Sequence, residues 1–318
     1  MTFQIKCYYI HLYNNMADIK IYKGKSFTIS KPEKTVTLDK DKNIYKKKDQ
    51  KVIAFDLDET LGSFGELYIL WQAINIHIHN EKMQQYESYN MELLFQKLLD
   101  IYPEFLRHGI LNILRYLYNK KLTGECSKVF LYTNNQCYGE DNSKWLSFIT
   151  GYIHSNICSH KMVLFDKIIC AFKINNQIIE PLRTTHNKTY SDFIRCSLLP
   201  KTAQLCFIDN TYYSKMINDR VYYIQPRSYY HALSYHEIMN RFKTQWKTPS
   251  LDSSFIESWF SKYSTGSQKH TNLTDDIMVS QKIMYHLKEF FLLSIKRKKT
   301  KKLSVRLGKF TRKTRTNV

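Results

Sequence analysis

The chain has 318 residues, 48 Lys/Arg against 28 Asp/Glu, and a formal net charge of +20. With 43% hydrophobic and 14% aromatic residues but only 9 glycines and 6 prolines, it reads as globular, which excludes disordered, collagen-like and low-complexity chains. It has no uninterrupted apolar run of about 18 residues and no recognisable secretory signal, so neither a spanning helix nor a membrane partner is expected.

The charge is unevenly placed. Residues 1–50 carry 11 lysines against five acidic residues, residues 51–295 carry 26 basic against 23 acidic, and residues 296–318 carry 11 basic and no acidic residue. The body is therefore nearly neutral and the two ends make the chain basic. The segment 296–318 cannot bury an apolar face and repels itself, which predicts a disordered tail. Such a tail suits nucleic acid, an acidic partner or a nuclear-import receptor, and equally suits a solvated solubility tail. The tail would place the protein in a nucleus or beside a packaged genome in a virion, and the scattered cysteines point to an intracellular setting. The Lys-, Asn- and Tyr-rich composition is the kind an AT-rich genome produces, such as that of a large DNA virus. The seven scattered cysteines form no C-x-x-C pair and read as reduced thiols. Cys158 with His160 offers two zinc ligands and no second pair, so it reads as structural.

In chain order, residues 1–48 form a basic extension with little periodicity, and Met16 is a candidate true start. A body at 49–245 follows, alternating short apolar strands with amphipathic helices. Lys51–Asp56 (KVIAFD) is a buried strand ending in a carboxylate. Residues 63–102 hold two helices, near 67–75 and 83–100, that either form a small cap or extend the core. Ile110, Leu111, Leu114, Leu117 and Tyr118 mark a helical stripe. Residues 128–135 (KVFLYTNN) are a second strand, Trp145, Ile149 and Tyr152 mark a helix, and 166–172 are a third strand. Tyr190, Phe193, Ile194 and Leu198 give a further helical face. Residues 203–210 (AQLCFIDN) are a fourth strand, again ending in a carboxylate, and 221–226 a fifth. His77 and His79 read as half-exposed residues, not as ligands. The Ser-, Thr- and Asp-rich stretch 246–273 reads as a linker. An amphipathic helix at 274–295 then presents Ile277, Met284, Leu287 and Phe291. The alternation predicts a Rossmann-like, doubly wound α/β fold: a parallel sheet with helices on both faces, a small helical insertion after the first motif and a basic C-terminal tail.

Ligands of such sheets bind outside the carboxyl ends of the strands. Three strands end in functional groups: Asp56 with Asp58, Thr133 with Asn134, and Asp209 with Asn210. Lys188, opening the helix before the fourth strand, can reach the same edge, although Lys201 is a competitor. Carboxylates, a hydroxyl and an ammonium together suit a metal ion and a phosphate. Taken singly, each of these residues is an ordinary cap, turn or surface residue.

The segment Phe55–Ser63 (FDLDETLGS) resembles the first motif of the haloacid dehalogenase superfamily of phosphotransferases. LYTNN (131–135), Lys188 in HNKTYSDFIRC and CFIDN (206–210) resemble its second, third and fourth motifs. Within the superfamily the chain is most similar, over roughly 49–230, to phosphatases of the RNA polymerase II C-terminal domain. YPEFLRHGILNILRYL (102–117) adds to that similarity, with His108 where proline is usual. The resemblance implies Asp56 as nucleophile, forming an aspartyl-phosphate, and Asp58 as general acid and base. It implies Mg²⁺ held by Asp56, the Asp58 carbonyl and Asp209, and phosphate held by Thr133, Asn134 and Lys188. Thr60 supports the turn and Asn210 orients a metal-bound water. Thr133-Asn134 departs from the Thr-Ala usual in that group and is closer to polynucleotide 3′-phosphatases, which usually have glycine where this chain has Glu59. The expected activity is a phosphoserine/phosphothreonine protein phosphatase. The alternatives are a nucleic-acid end phosphatase and a silent scaffold that recruits nucleic acid through 296–318.

Overall fold

A computed structural model describes residues 19–25, 27–29, 50–80, 90–135, 145–159, 162–247, 251–264 and 272–295. The basic tail 296–318, the Met16 start and His160 lie outside the described residues. The strands are β1 (Ile19–Lys23), β2 (Phe27–Ile29), β3 (Lys51–Phe55), β4 (Lys128–Tyr132), β5 (Lys167–Ile169), β6 (Lys173–Ile174), β7 (Gln177–Ile178), β8 (Gln204–Ile208), β9 (Val221–Pro226) and β10 (Leu293–Ile295). The helices are α1 (Gly65–Asn80), α2 (Met91–Ile101), α3 (Ile110–Leu122), α4 (Trp145–Ile157), α5 (Tyr190–Ser197), α6 (Tyr235–Gln245), α7 (Ser253–Tyr263) and α8 (Leu273–Leu292).

Six strands form the central sheet in the order β1–β9–β8–β3–β4–β5. β9, β8, β3, β4 and β5 are mutually parallel, and β1 is antiparallel to β9. The fold is thus α/β with a mostly parallel sheet. The chain runs outward from β3 to β4 and β5, then crosses back over β3 to β8 and β9. Its direction reverses between β3 and β8, and the carboxyl ends of these neighbours are where such sheets open a crevice.

Alternation along each strand splits the core in two. Ile53, Phe55, Val129, Leu131, Cys206 and Ile208 face one layer, and Val52, Ala54, Phe130, Tyr132, Leu205 and Phe207 the other. The first layer contains buried residues from seven helices, the second from α5 alone. Helices therefore cover both faces, but unequally. In the 63–102 region, α1 and α2 bury Leu67, Leu70, Ile74, Phe95 and Leu98 in the same cluster as Ile53 and Phe55, so these two helices extend the core.

Several readings need correction. The extension 1–48 contributes β1, whose register pairs Ile19 with Pro226 and Lys23 with Tyr222, and whose Ile19 and Ile21 pack on the larger core. The supposed linker 246–273 contains α7. Its polar start is a cap, Asp252 accepting from the Ser254 amide at 2.8 Å, and behind it Ile256 and Phe260, four residues apart, are fully buried. Averaged composition hides so short a stripe. On α8 the buried apolar side chains are Val279, Ile283, Leu287 and Phe290, a face rotated from the expected one, which keeps Leu287 and leaves Met284 and Phe291 half-buried. Leu198 is 82% exposed because α5 ends there in a left-handed cap with φ of 53°, and Cys196 takes its place inside. His77 is buried on α1 and accepts from the Asp252 amide at 3.2 Å. Cys126, Cys158, Cys196 and Cys206 are free, but Cys170 is disulfide-bonded, against the expectation of reduced thiols throughout.

Candidate active site at the carboxyl edge of the sheet

Asp56 follows β3 directly, and its amide donates to the Ile208 carbonyl at 2.9 Å, which fixes the end of β3 against the end of β8. Asp209 follows β8 in the same way. The two carboxylates share one partner, Lys188. Its ammonium contacts Asp56 Oδ1 and donates to Asp209 Oδ2 at 2.7 Å, with only 1% of the lysine exposed. The cation also lies over the rings of Tyr132 at 5.7 Å and Tyr213 at 5.6 Å. Burial alone would lower the Lys188 ammonium, but Asp56 and Asp209 outweigh it and hold the lysine above its ordinary value. Asp209 moves differently. Burial lifts it above the ordinary carboxylate range; Lys188 opposes this, and repulsion from Asp56 adds to it. Two carboxylates on one ammonium raise the lysine, whereas burial, only partly offset by that shared ammonium, raises Asp209.

The turn after Asp56 is built to aim Asp58 and Thr60. Glu59 has φ of 58°, and its amide donates to the Gly62 carbonyl at 2.7 Å. A side chain at Gly62 would meet the Phe105 carbonyl oxygen at 2.4 Å, so only glycine permits this close approach. Arg107, 1% exposed, secures the turn by donating to the Thr60 and Glu59 carbonyls, each at 2.6 Å. Thr60 Oγ1 donates to Asn210 Oδ1 at 2.8 Å, accepts from the Asn210 amide at 3.1 Å, and lies 3.3 Å from Asp56 Oδ2. Asn210 in turn donates to Glu59 Oε2 at 3.1 Å and Ser228 Oγ at 2.9 Å. Asp58 accepts from Asn135 Nδ2 at 2.7 Å. Burial first, and then the Asp56 charge, push its carboxyl up to about 6.

Thr133 follows β4 beside β3, is 1% exposed, and accepts from the Asn135 amide at 3.1 Å. Asn134 donates to the Tyr213 hydroxyl at 3.3 Å, and Tyr213 covers Lys188. Asp56, Thr60, Lys188, Asp209 and Asn210 thus form one bonded group. Asp58 and Thr133 are tied to each other through Asn135, with Asp58 close enough to feel the charges of Asp56 and Lys188, and Asn134 reaches the group through Tyr213. Lys201 is exposed, and the ion pair of Asp209 is with Lys188.

Sequence reading missed four residues here. Asn135 closes the LYTNN motif, but its residue type alone does not mark it as the partner of Asp58. Arg107 stands in the quoted 102–117 segment. Tyr213 gave no signal beyond lying four residues after Asp209. Arg183 is 1% exposed and donates to the Thr133 carbonyl at 3.0 Å, the Cys170 carbonyl at 2.6 Å and Asn134 Oδ1 at 2.9 Å, bracing the 133–135 turn. A cleft of about 390 Å³ opens beside Asp58, lined by Phe64, Tyr68, Asn134, Asn135 and Trp145.

Among the described residues no three His, Cys, Asp or Glu side chains converge as a metal-holding group. The donors brought together here are two carboxylates, Asp56 and Asp209. This is a hard, all-oxygen set with negative charge in excess of Lys188. It suits Mg²⁺, which takes one or two carboxylates and keeps several waters. Comparison of the chain with protein-family models, with curated proteins and with solved structures found no match.

Proposed function

We propose that the chain is a Mg²⁺-dependent phosphomonoesterase of the haloacid dehalogenase type that works through an aspartyl-phosphate on Asp56. The observation that carries this reading is the sharing of buried Lys188 by Asp56 and Asp209, with Asp58 two residues from Asp56 and raised to about 6. A phosphate ester is an anion, and attack by a carboxylate requires both charges to be offset. Lys188 offsets Asp56 and steadies its orientation. Bound Mg²⁺ would be held by Asp56, Asp209 and the Asp58 carbonyl and would supply electrostatic stabilisation to the phosphoryl oxygens.

In the first step Asp56 bonds to phosphorus, the bond to the leaving oxygen breaks, and Asp58 gives that oxygen its proton. In the second step water attacks the same phosphorus and Asp58 takes its proton. The Asp56 carboxylate is restored and phosphate departs. A value near 6 keeps Asp58 able to carry both roles close to neutral pH. Thr133 and the backbone around Asn134 hold phosphate oxygens, and Arg183 and Asn135 keep that turn in place.

A phosphoserine or phosphothreonine protein is the substrate suggested by resemblance. The Thr133-Asn134 turn and the basic ends favour a polynucleotide 3′-phosphate as the second reading. Hydrolysis of p-nitrophenyl phosphate with Mg²⁺, abolished by EDTA and by Asp56→Asn, is the expected result. Phosphopeptide and 3′-phosphorylated oligonucleotide assays then separate the two substrate classes. If none of the three substrates is hydrolysed, the scaffold reading replaces the enzyme.

A further inference from the structure

A second concave site lies on the thinly covered face of the sheet, between α5 and the chain entering β9. It encloses about 520 Å³, within the range of small-ligand sites. Tyr190 and Ile194 line it together with Arg195, Lys201, Asn218 and Arg220. Lys201 and Arg220 precede β8 and β9, whereas Asp209 follows β8. The five residues of β8, at about 3.3 Å each, place about 17 Å between that cationic end and the catalytic edge.

The cleft carries uncompensated positive charge. Arg195 is paired with Asp192, whose carboxylate is buried and also accepts from Thr184. Lys201 and Arg220 have no ion pair among the described residues; the Arg220 guanidinium donates to the Thr202 carbonyl at 3.0 Å and its amide to Asn218 Oδ1 at 3.0 Å. Asp219 is adjacent in the chain but is not part of the lining. The same lining holds the Tyr190 ring and the Ile194 side chain, and the Tyr190 hydroxyl is buried with no partner.

We propose that this cleft binds a nucleotide unit of single-stranded nucleic acid, with the base against Tyr190 and Ile194 and the phosphate on Lys201 and Arg220. An aromatic ring and an apolar side chain in one cleft with unpaired cations match a base joined to a phosphate. An acidic peptide would satisfy the rim and leave the apolar surface unmatched. The inference stands whether or not the carboxyl edge is catalytic.

The test is photo-crosslinking of the full chain with a 5-iodouracil oligodeoxyribonucleotide that lacks terminal phosphates, so that the catalytic edge is not engaged. Peptide mapping is expected to place a crosslink on Tyr190. The Lys201→Glu/Arg220→Glu variant, altered only at exposed or half-exposed positions, is expected to lose that crosslink by about tenfold and to show a shallower salt dependence of binding. Crosslinks confined to the basic ends of the parent chain would overturn the proposal, without any need for the variant. A yield at Tyr190 unchanged by the two reversals would do the same. Unlabelled oligonucleotide is expected to displace the probe. Equal displacement by a doubly phosphorylated peptide would show that the cleft reads charge alone and would refute the nucleotide assignment.

Discussion

Two lysines are buried at opposite ends of the same sheet, and they are partnered in opposite ways. Lys121 stands near the amino end of β4. It donates to the Val163 and Leu164 carbonyls, each at 2.9 Å, and to Asp166 Oδ2 at 2.7 Å. Asp166 also accepts from the Val129 amide at 2.8 Å. One ammonium meets one carboxylate there, its three donors are filled, and nothing is left over for a ligand. Lys188 at the carboxyl end meets two carboxylates, with a third, Asp58, close enough for Asp56 to raise it. A balanced buried pair fixes structure; an unbalanced one keeps charge that a ligand or metal can complete.

The sharpest test of this contrast replaces each lysine by methionine. Lys188→Met leaves Asp56 and Asp209 facing each other without a cation. Turnover is expected to vanish, and stability at pH 8 to fall by about 3–5 kcal/mol. That loss should shrink at pH 5, where Asp209, already held above the ordinary carboxylate range, takes up a proton. Denaturant melts at the two pH values check it. Lys121→Met is expected to cost a similar 3–5 kcal/mol, because Asp166 and two carbonyls lose their partner. Its turnover per folded molecule, measured beside its melt, should equal that of the parent. Loss of activity there would blur the distinction between the two lysines.

Asp58→Asn probes the excess charge from the other side. The folded carboxyl lies near 6, above its unfolded value, so folding takes up a proton between those values and stability falls as pH rises through them. Asparagine cannot ionise but still accepts from Asn135. The variant is expected to be more stable than the parent by up to about 3 kcal/mol at pH 8 and no more stable at pH 4. Its phosphatase rate should drop by about 10²–10⁴. The smallest effect is expected from Asn135→Ala. The lost hydrogen bond had lowered Asp58, so the alkaline limb of the kcat profile should move to higher pH. An unmoved limb would remove Asp58 as the general acid.

Much of this edge was legible because short strands buried on both faces read as apolar runs, and polar residues ending such runs fall on one side of the sheet. That logic placed Asp56, Asp58, Thr133, Asn134, Asp209 and Asn210 together, and Lys188 joined them as the residue that opens the amphipathic helix before β8. It could not supply Arg107 or Arg183, whose partners are backbone carbonyls and leave no pattern in the chain. Asn135 was overshadowed by its neighbour, since periodicity does not tell which of two adjacent amides turns toward Asp58. β1 was hidden for a different reason. Its IKIYK is a short edge strand with no fully buried residue, and only the antiparallel pairing with β9 sets Ile19 and Ile21 against the core. α7 was lost because its polar cap dominated the composition of its surroundings. Composition thus hid elements whose order comes from tertiary partners, whereas buried strands announced themselves.

The central claim is that Asp56 becomes phosphorylated. The most direct measurement is to mix the protein with Mg²⁺ and p-nitrophenyl phosphate, quench in acid, reduce with borohydride and map the product by mass spectrometry. An acyl phosphate at Asp56 is reduced to homoserine, and that mass change is predicted in the Phe55–Leu57 peptide of the parent and not in Asp56→Asn. Turnover without it, or the change at another carboxylate, would contradict the account.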